Sequence, residues 1–142
     1  MSNLSDIIFT GEYESARDSK NRIRLPSKFI RNISVPQVLV RKEAAYEYPI
    51  LELTFPSDQD QTEMSPEKRV DLYSFGALCS IRSGGRIAIP ARFFEYLEEK
   101  RKLKRVVQSG ARDRIYVWNA KDFRELEARR IRENNKEAER FS

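Results

Sequence analysis

Histidine is absent from this chain, and cysteine occurs once, at Cys79. Without histidine, the commonest general base and the commonest metal ligand are both missing. One cysteine closes no internal disulfide, builds no zinc site of the usual kind and fits a reducing compartment. Its neighbours Ala77, Leu78 and Ile81 are apolar, which reads as a plain buried thiol. Glycine is scarce, five in 142 residues, and only Gly84 and Gly85 adjoin. Neither a phosphate-cradling loop nor a dinucleotide fingerprint is therefore present. No segment approaches the roughly 20 apolar residues that span a bilayer, and the amino terminus lacks a basic-then-apolar signal pattern. Nothing converges on a Ser-Lys or paired-carboxylate centre. The expectation is a cytoplasmic protein that is not an enzyme, with no cofactor, no metal, no small-molecule substrate and no membrane partner.

What is present is charge and a repeat. Hydrophobic residues make up 39% of the chain and charged residues 35%, a wet but globular balance. The net charge is +5, and 18 of the 27 basic residues are arginine, the side chain suited to bidentate contacts with phosphate and guanine. Between Arg17 and Arg31 stand Arg17, Lys20, Arg22, Arg24, Lys28 and Arg31 against the single acid Asp18. That stretch is a candidate anion-binding surface.

The segment NRIRLPSKFIRNI at 21–33 matches GRIAIPARFFEYL at 85–97. Arg22 aligns with Arg86, Ile23 with Ile87, Leu25 with Ile89, Pro26 with Pro90 and Phe29 with Phe93, at a constant offset of 64 (86 − 22, 90 − 26). A strand-loop-strand unit thus occurs twice. In each copy an alternating strand places two branched residues on one face and ends at proline, which opens a short helix at its first position. Phe29 with Ile33 and Phe93 with Leu97 lie four apart on that helix. Strands follow near 37–41 and 105–108, and again near 47–54 and 114–118. Gly84-Gly85 before Arg86 permits positive φ, and Asn21 before Arg22 is the residue type that best imitates glycine there. Modules of about 60 residues are marginal alone, so the halves are expected to pack on each other or on other subunits.

The domain reading is a first module at 5–54, a linker at 55–71, a second module at 72–126 and a helix end with a polar tail at 127–142. The linker carries four acids and no base from Ser57 to Glu67, and Ser65-Pro66 reads as a helix cap leading towards Val70 and Tyr73. A final helix starts near Asn119, with Asp122 three residues on and Phe123, Leu126 and Ile131 facing inward, and frays beyond Arg132. The mixed charges of 98–105 read as a solvated helix end and turn. Tyr116 and Trp118 read as core or interface aromatics.

Three pieces resemble the MraZ family of bacterial transcriptional regulators: Phe9-Thr10-Gly11-Glu12-Tyr13, the D-x-x-x-R run Asp18 to Arg22 with Ile23-Arg24-Leu25-Pro26, and the second copy from Ala77 through Pro90 to Trp118. Similarity covers most of 7–126 and is weakest across 43–70. The resemblance implies an α+β, mainly β fold: two tandem SpoVT/AbrB-like swapped-hairpin modules forming a small barrel with short helices. It also implies a homo-oligomeric ring that meets repeated boxes of double-stranded promoter DNA upstream of division and cell-wall genes, in a nucleoid-associated protein. Two features depart from the family pattern. Arg82 stands where the second copy's aspartate belongs, and the middle segment lacks a tryptophan-bearing helix closing the first copy.

On this reading Arg22 and Arg86 make base or phosphate contacts, Lys20, Arg24 and Arg82 neutralise phosphates, and Asp18 orients Arg22. Two rivals are an AbrB-like antitoxin acting through its carboxyl-terminal helix while repressing its own operon, and a ring-forming interaction protein whose degenerate second copy has lost DNA.

Overall fold

The computed structural model describes residues 9–56 and 64–140. Residues 5–8 of the first module, 57–63 of the linker and 141–142 of the tail lie outside the described residues. The order is β1 (Glu12–Ala16), β2 (Arg22–Arg24), α1 (Ser27–Ile30), β3 (Gln37–Ala45), β4 (Tyr48–Thr54), α2 (Pro66–Arg69) continued by a π turn (Val70–Ser74), β5 (Ala77–Arg82), β6 (Arg86–Ala88), α3 (Ala91–Leu97), β7 (Arg105–Gly110), β8 (Ile115–Asn119) and α4 (Ala120–Arg140).

The eight strands form one sheet in the order β1-β7-β8-β4-β3-β5-β6-β2. The β1–β2 hairpin brings the two ends together and nearly closes a barrel, Asp18 N donating to Arg22 O at 3.0 Å. Four of the seven pairings in this sheet, β1–β7, β8–β4, β3–β5 and β6–β2, join strands of opposite copies. The first copy's β1 pairs with the second copy's β7, and the second copy's β5 pairs with the first copy's β3. Two self-matching contacts mark a pseudo-twofold axis: Ile23 opposite Ile87 in β2–β6, and Glu52 opposite Tyr116 in β4–β8. Both are separated by the 64 residues that separate the sequence copies (87 − 23, 116 − 52). The hairpins are swapped between the halves, so neither half completes its sheet alone.

Period-two patterning explains the core. Val38, Val40, Leu51, Leu53, Val106, Ile115 and Val117 point into the barrel, where each is fully buried. The prolines that end β2 and β6 turn the chain into α1 and α3, whose Phe29, Phe93, Phe94 and Leu97 plug the barrel. Pro26 and Pro90 occupy the position just before the first helical residue, one earlier than the sequence pattern implied. Phe9 bridges to Arg112 and stacks edge-on against Phe29, with ring centroids 5.3 Å apart. Cys79 is buried and free, and burial raises its thiol pKa.

A second cluster lies on the outer face of β4, β7 and β8, where Tyr48, Ile50, Val107 and Trp118 are covered by Ala120 and Leu126 of α4. Trp118 stacks edge-on against Phe123 and donates its indole N–H to Ser109 Oγ at 2.9 Å. Asn119 caps α4, its Oδ1 accepting from Lys121 N at 3.0 Å. Two expectations for α4 need correcting. Ile131 is 60% exposed, because by then the helix has run past the sheet that covers Leu126. The helix also continues to Arg140 instead of fraying near Arg132. The 98–105 stretch is less solvated than its charge suggested: Leu103 is buried, and Arg101 makes ion pairs with Glu125 and with the buried Asp122 of α4. Between the copies, Ser65 Oγ accepts from Lys68 N and Pro66 begins α2, as its sequence implied.

Candidate nucleic-acid interface

All six candidate residues lie on the antiparallel β2-β6-β5 ribbon or in the β1–β2 turn that adjoins it, and the two hairpin loops sit at opposite ends of the β2–β6 pair. Those strands are three residues long, so the loops are separated by only about 7 Å of strand rise. Ile23 and Ile87 point inward and are fully buried, which forces the residues flanking them outward. Arg24 and Arg86 are exposed, and Arg22 is partly so.

The first loop is built around Asp18. Its Oδ1 accepts from Lys20 N at 2.8 Å and Arg22 N at 2.9 Å, and its Oδ2 accepts from Arg22 Nε at 2.7 Å. One carboxylate therefore shapes the turn with one oxygen and aims a guanidinium with the other. The backbone N–H of Arg22 is the main reason the Asp18 pKa is lowered, with the Arg22 guanidinium and the Lys20 N–H adding to it against a smaller opposing desolvation effect. Asn21 adopts the positive φ of 58° that the turn requires. The Lys20 ammonium at the tip is exposed and has no partner among the described residues, whereas Arg17 is drawn aside to Glu98, at 3.5 Å, and to the face of Phe94.

The second loop shares the left-handed residue before its arginine but adds a second one, at Gly84, where the first loop has Lys20, and its chemistry differs. Gly84 and Gly85 take φ of 77° and 75°, Gly85 standing where Asn21 stands in the first loop. Two hydrogen bonds related by the pseudo-twofold lock each loop to the other copy: Leu25 N to Gly85 O, and Ile89 N to Asn21 O, both 2.9 Å. Arg82 occupies the aspartate position and cages nothing. Among the described residues, neither the Arg82 nor the Arg86 side chain has a hydrogen-bond or ion-pair partner. Arg24 reaches across instead, donating from Nε to Gly84 O at 3.0 Å. Sequence reasoning missed this contact, because nothing in the spacing of Arg24 and Gly84 shows that they meet.

Fold and loops define a class: duplicated, mainly β barrels of swapped hairpins with an arginine-bearing turn at each end of one short central strand pair. The chain belongs to the MraZ family. A 31% identical protein of Halothermothrix orenii aligns over 80% of this chain and 82% of its own length, and a 30% identical protein of Clostridium tetani over 83% and 86%. A protein of Lactiplantibacillus plantarum is 29% identical over 84% of this chain and 88% of its own length. All three are named transcriptional regulator MraZ. The family model described as "MraZ protein, putative antitoxin-like" matches residues 77–142, the second copy with α4.

Proposed function

We propose that this protein is a sequence-specific DNA-binding transcriptional regulator that meets repeated promoter boxes as a homo-oligomeric ring, in the cytoplasm and on the nucleoid. The observation that carries the reading is the ribbon that gathers Asp18, Lys20, Arg22, Arg24, Arg82 and Arg86 on one exposed surface, in a chain whose relatives carry the regulator's name. An exposed guanidinium beside a turn suits both guanine edges and phosphates. One subunit presents only a small surface. A ring multiplies affinity by effective concentration when box spacing matches subunit spacing. The targets that the family resemblance implies are boxes upstream of division and cell-wall genes.

The test is binding of the purified protein to its own upstream DNA against scrambled DNA across a salt series, with Arg22→Ala alongside. Specific, salt-sensitive binding that Arg22→Ala abolishes supports the regulator. Equal binding to both DNAs by folded protein removes it. The exposed distal part of α4, residues 131–140, favours a second reading as an antitoxin that captures a toxin through this helix. A stable complex with a small toxin encoded alongside it would bring that reading forward.

A further inference from the structure

Strand register puts three arginines in one row. Arg24 of β2 is the cross-strand partner of Arg86 in β6, and Arg86 is in turn the partner of Arg82 in β5. All three are exposed on the outer face of three adjacent strands. Directly opposed residues stand about 5 Å apart, and like charges so placed repel. The pseudo-twofold axis carries this row onto Ala88, Arg22 and Asp18, which is neutral and internally paired. One row therefore carries a net charge of +3, and its counterpart, with one arginine and one aspartate, a net charge of zero.

We infer that the Arg24–Arg86–Arg82 row is a phosphate clamp for the DNA backbone, and that the two loops divide the work: the first reads bases and the second grips the strand without regard to sequence. The inference rests on the DNA-binding reading above. Three observations carry it. Among the described residues no acid pairs with Arg24, Arg82 or Arg86, so an arriving anion relieves the repulsion along the row. Among the described residues Arg82 and Arg86 have no partner and can turn towards phosphate, whereas Arg22 is held in one orientation by Asp18. Arg24 is anchored to the Gly84 carbonyl through Nε, which fixes one edge of the clamp and leaves its terminal nitrogens available. A residue held in one geometry suits base edges, whose donors and acceptors are directional; a cluster of mobile positive charges suits phosphate oxygens, which are uniform along the strand.

The salt series decides it, with Arg82→Ala, Arg86→Ala, Arg86→Lys and Arg22→Ala measured on upstream and scrambled DNA. Thermal melts establish that each variant is folded. Each alanine change in the row weakens both DNAs by the same factor and leaves the upstream-to-scrambled ratio unchanged. Losing one phosphate contact shrinks the affinity ratio between 50 and 200 mM salt about 3.5-fold for each subunit engaged, the equivalent of roughly one unit of salt slope. Arg86→Lys retains the charge and binds like the parent, since phosphate accepts a point charge while a bidentate guanine contact does not survive the change. Arg22→Ala collapses the ratio. A lowered ratio in Arg86→Ala or Arg86→Lys overturns the division of work, and an unchanged salt slope in both alanine variants overturns the clamp. If the parent protein grips scrambled and upstream DNA equally and salt-sensitively, the regulator reading falls while the clamp stands; binding to neither DNA removes both.

Discussion

Alanine at Gly85 and alanine at Gly84 make a matched pair, because both glycines sit near φ of +76° and differ only in what surrounds them. A left-handed φ costs an L-residue about 1–2 kcal/mol, so both substitutions share that penalty. At Gly84 a new Cβ meets nothing within 4 Å, and the backbone penalty is the whole effect. At Gly85 the Cβ falls 2.2 Å from Ile30 Cδ1 and 2.9 Å from Ile30 Cγ1. Overpacking of this kind adds about 1–3 kcal/mol, and the Ile30 terminus is able to swing aside, which places the increment in the lower part of that range. Gly84→Ala should therefore destabilise by about 1–2 kcal/mol and Gly85→Ala by about 2–4 kcal/mol. Denaturant unfolding followed by circular dichroism measures both, read as a midpoint shift at constant slope. The clash assigns the difference to Ile30, so in an Ile30→Ala background Gly85→Ala should cost no more than Gly84→Ala does. Equal effects of the two alanines, or an excess that survives Ile30→Ala, would refute the steric account of this loop.

Asp122 is fully buried at the start of α4, neither of its oxygens accepts a hydrogen bond, and Arg101 Nε stands 3.7 Å away. Burial raises its pKa above the ordinary 3.8, so the folded state prefers the protonated form and loses stability as pH rises from 3.8 through the raised value. Asp122→Asn should accordingly remove this loss, its melts changing less than the parent's as pH rises from 3.8 towards neutral. Asp18 has the opposite sign. Its pKa is lowered, so its contribution is complete above 3.8 and disappears as pH falls through the lowered value. Amide shifts of Lys20 and Arg22 should hold steady down to about pH 4 and move together below it. In Asp18→Asn one oxygen still accepts the two backbone N–H groups while the Arg22 Nε contact is lost; the loop amides should stay near their parent positions while preference for upstream DNA falls. Cys79, buried with a raised pKa, should react with a thiol reagent only on unfolding, at a rate that follows denaturant concentration.

Local chemistry is legible along a chain, and partnership is not. The duplication, the alternation that buries Ile23 and Ile87, the helix openings after Pro26 and Pro90, the Ser65 cap and the glycine-like role of Asn21 all follow from neighbours within a few residues. The Asp18–Arg22 pair was legible too, because a turn returns position i+4 to position i. The Arg24 contact with Gly84 spans 60 residues, and the row of three arginines exists only through the β2–β6 and β5–β6 registers. Spacing carries no register between distant strands. Nor does helical periodicity tell where a sheet ends, which is why Ile131 was placed inward with Leu126 although α4 has left its support by then. By itself, the sequence determined that two like modules with basic turns would fold from this chain. The family resemblance implied the swapped hairpins, and the tertiary structure bears them out, the swap burying both apolar faces in one barrel. Only the tertiary structure decided, through registers between distant strands, that Arg24 of the first copy stands in one row with Arg82 and Arg86 of the second while the counterpart row holds Arg22 paired with Asp18.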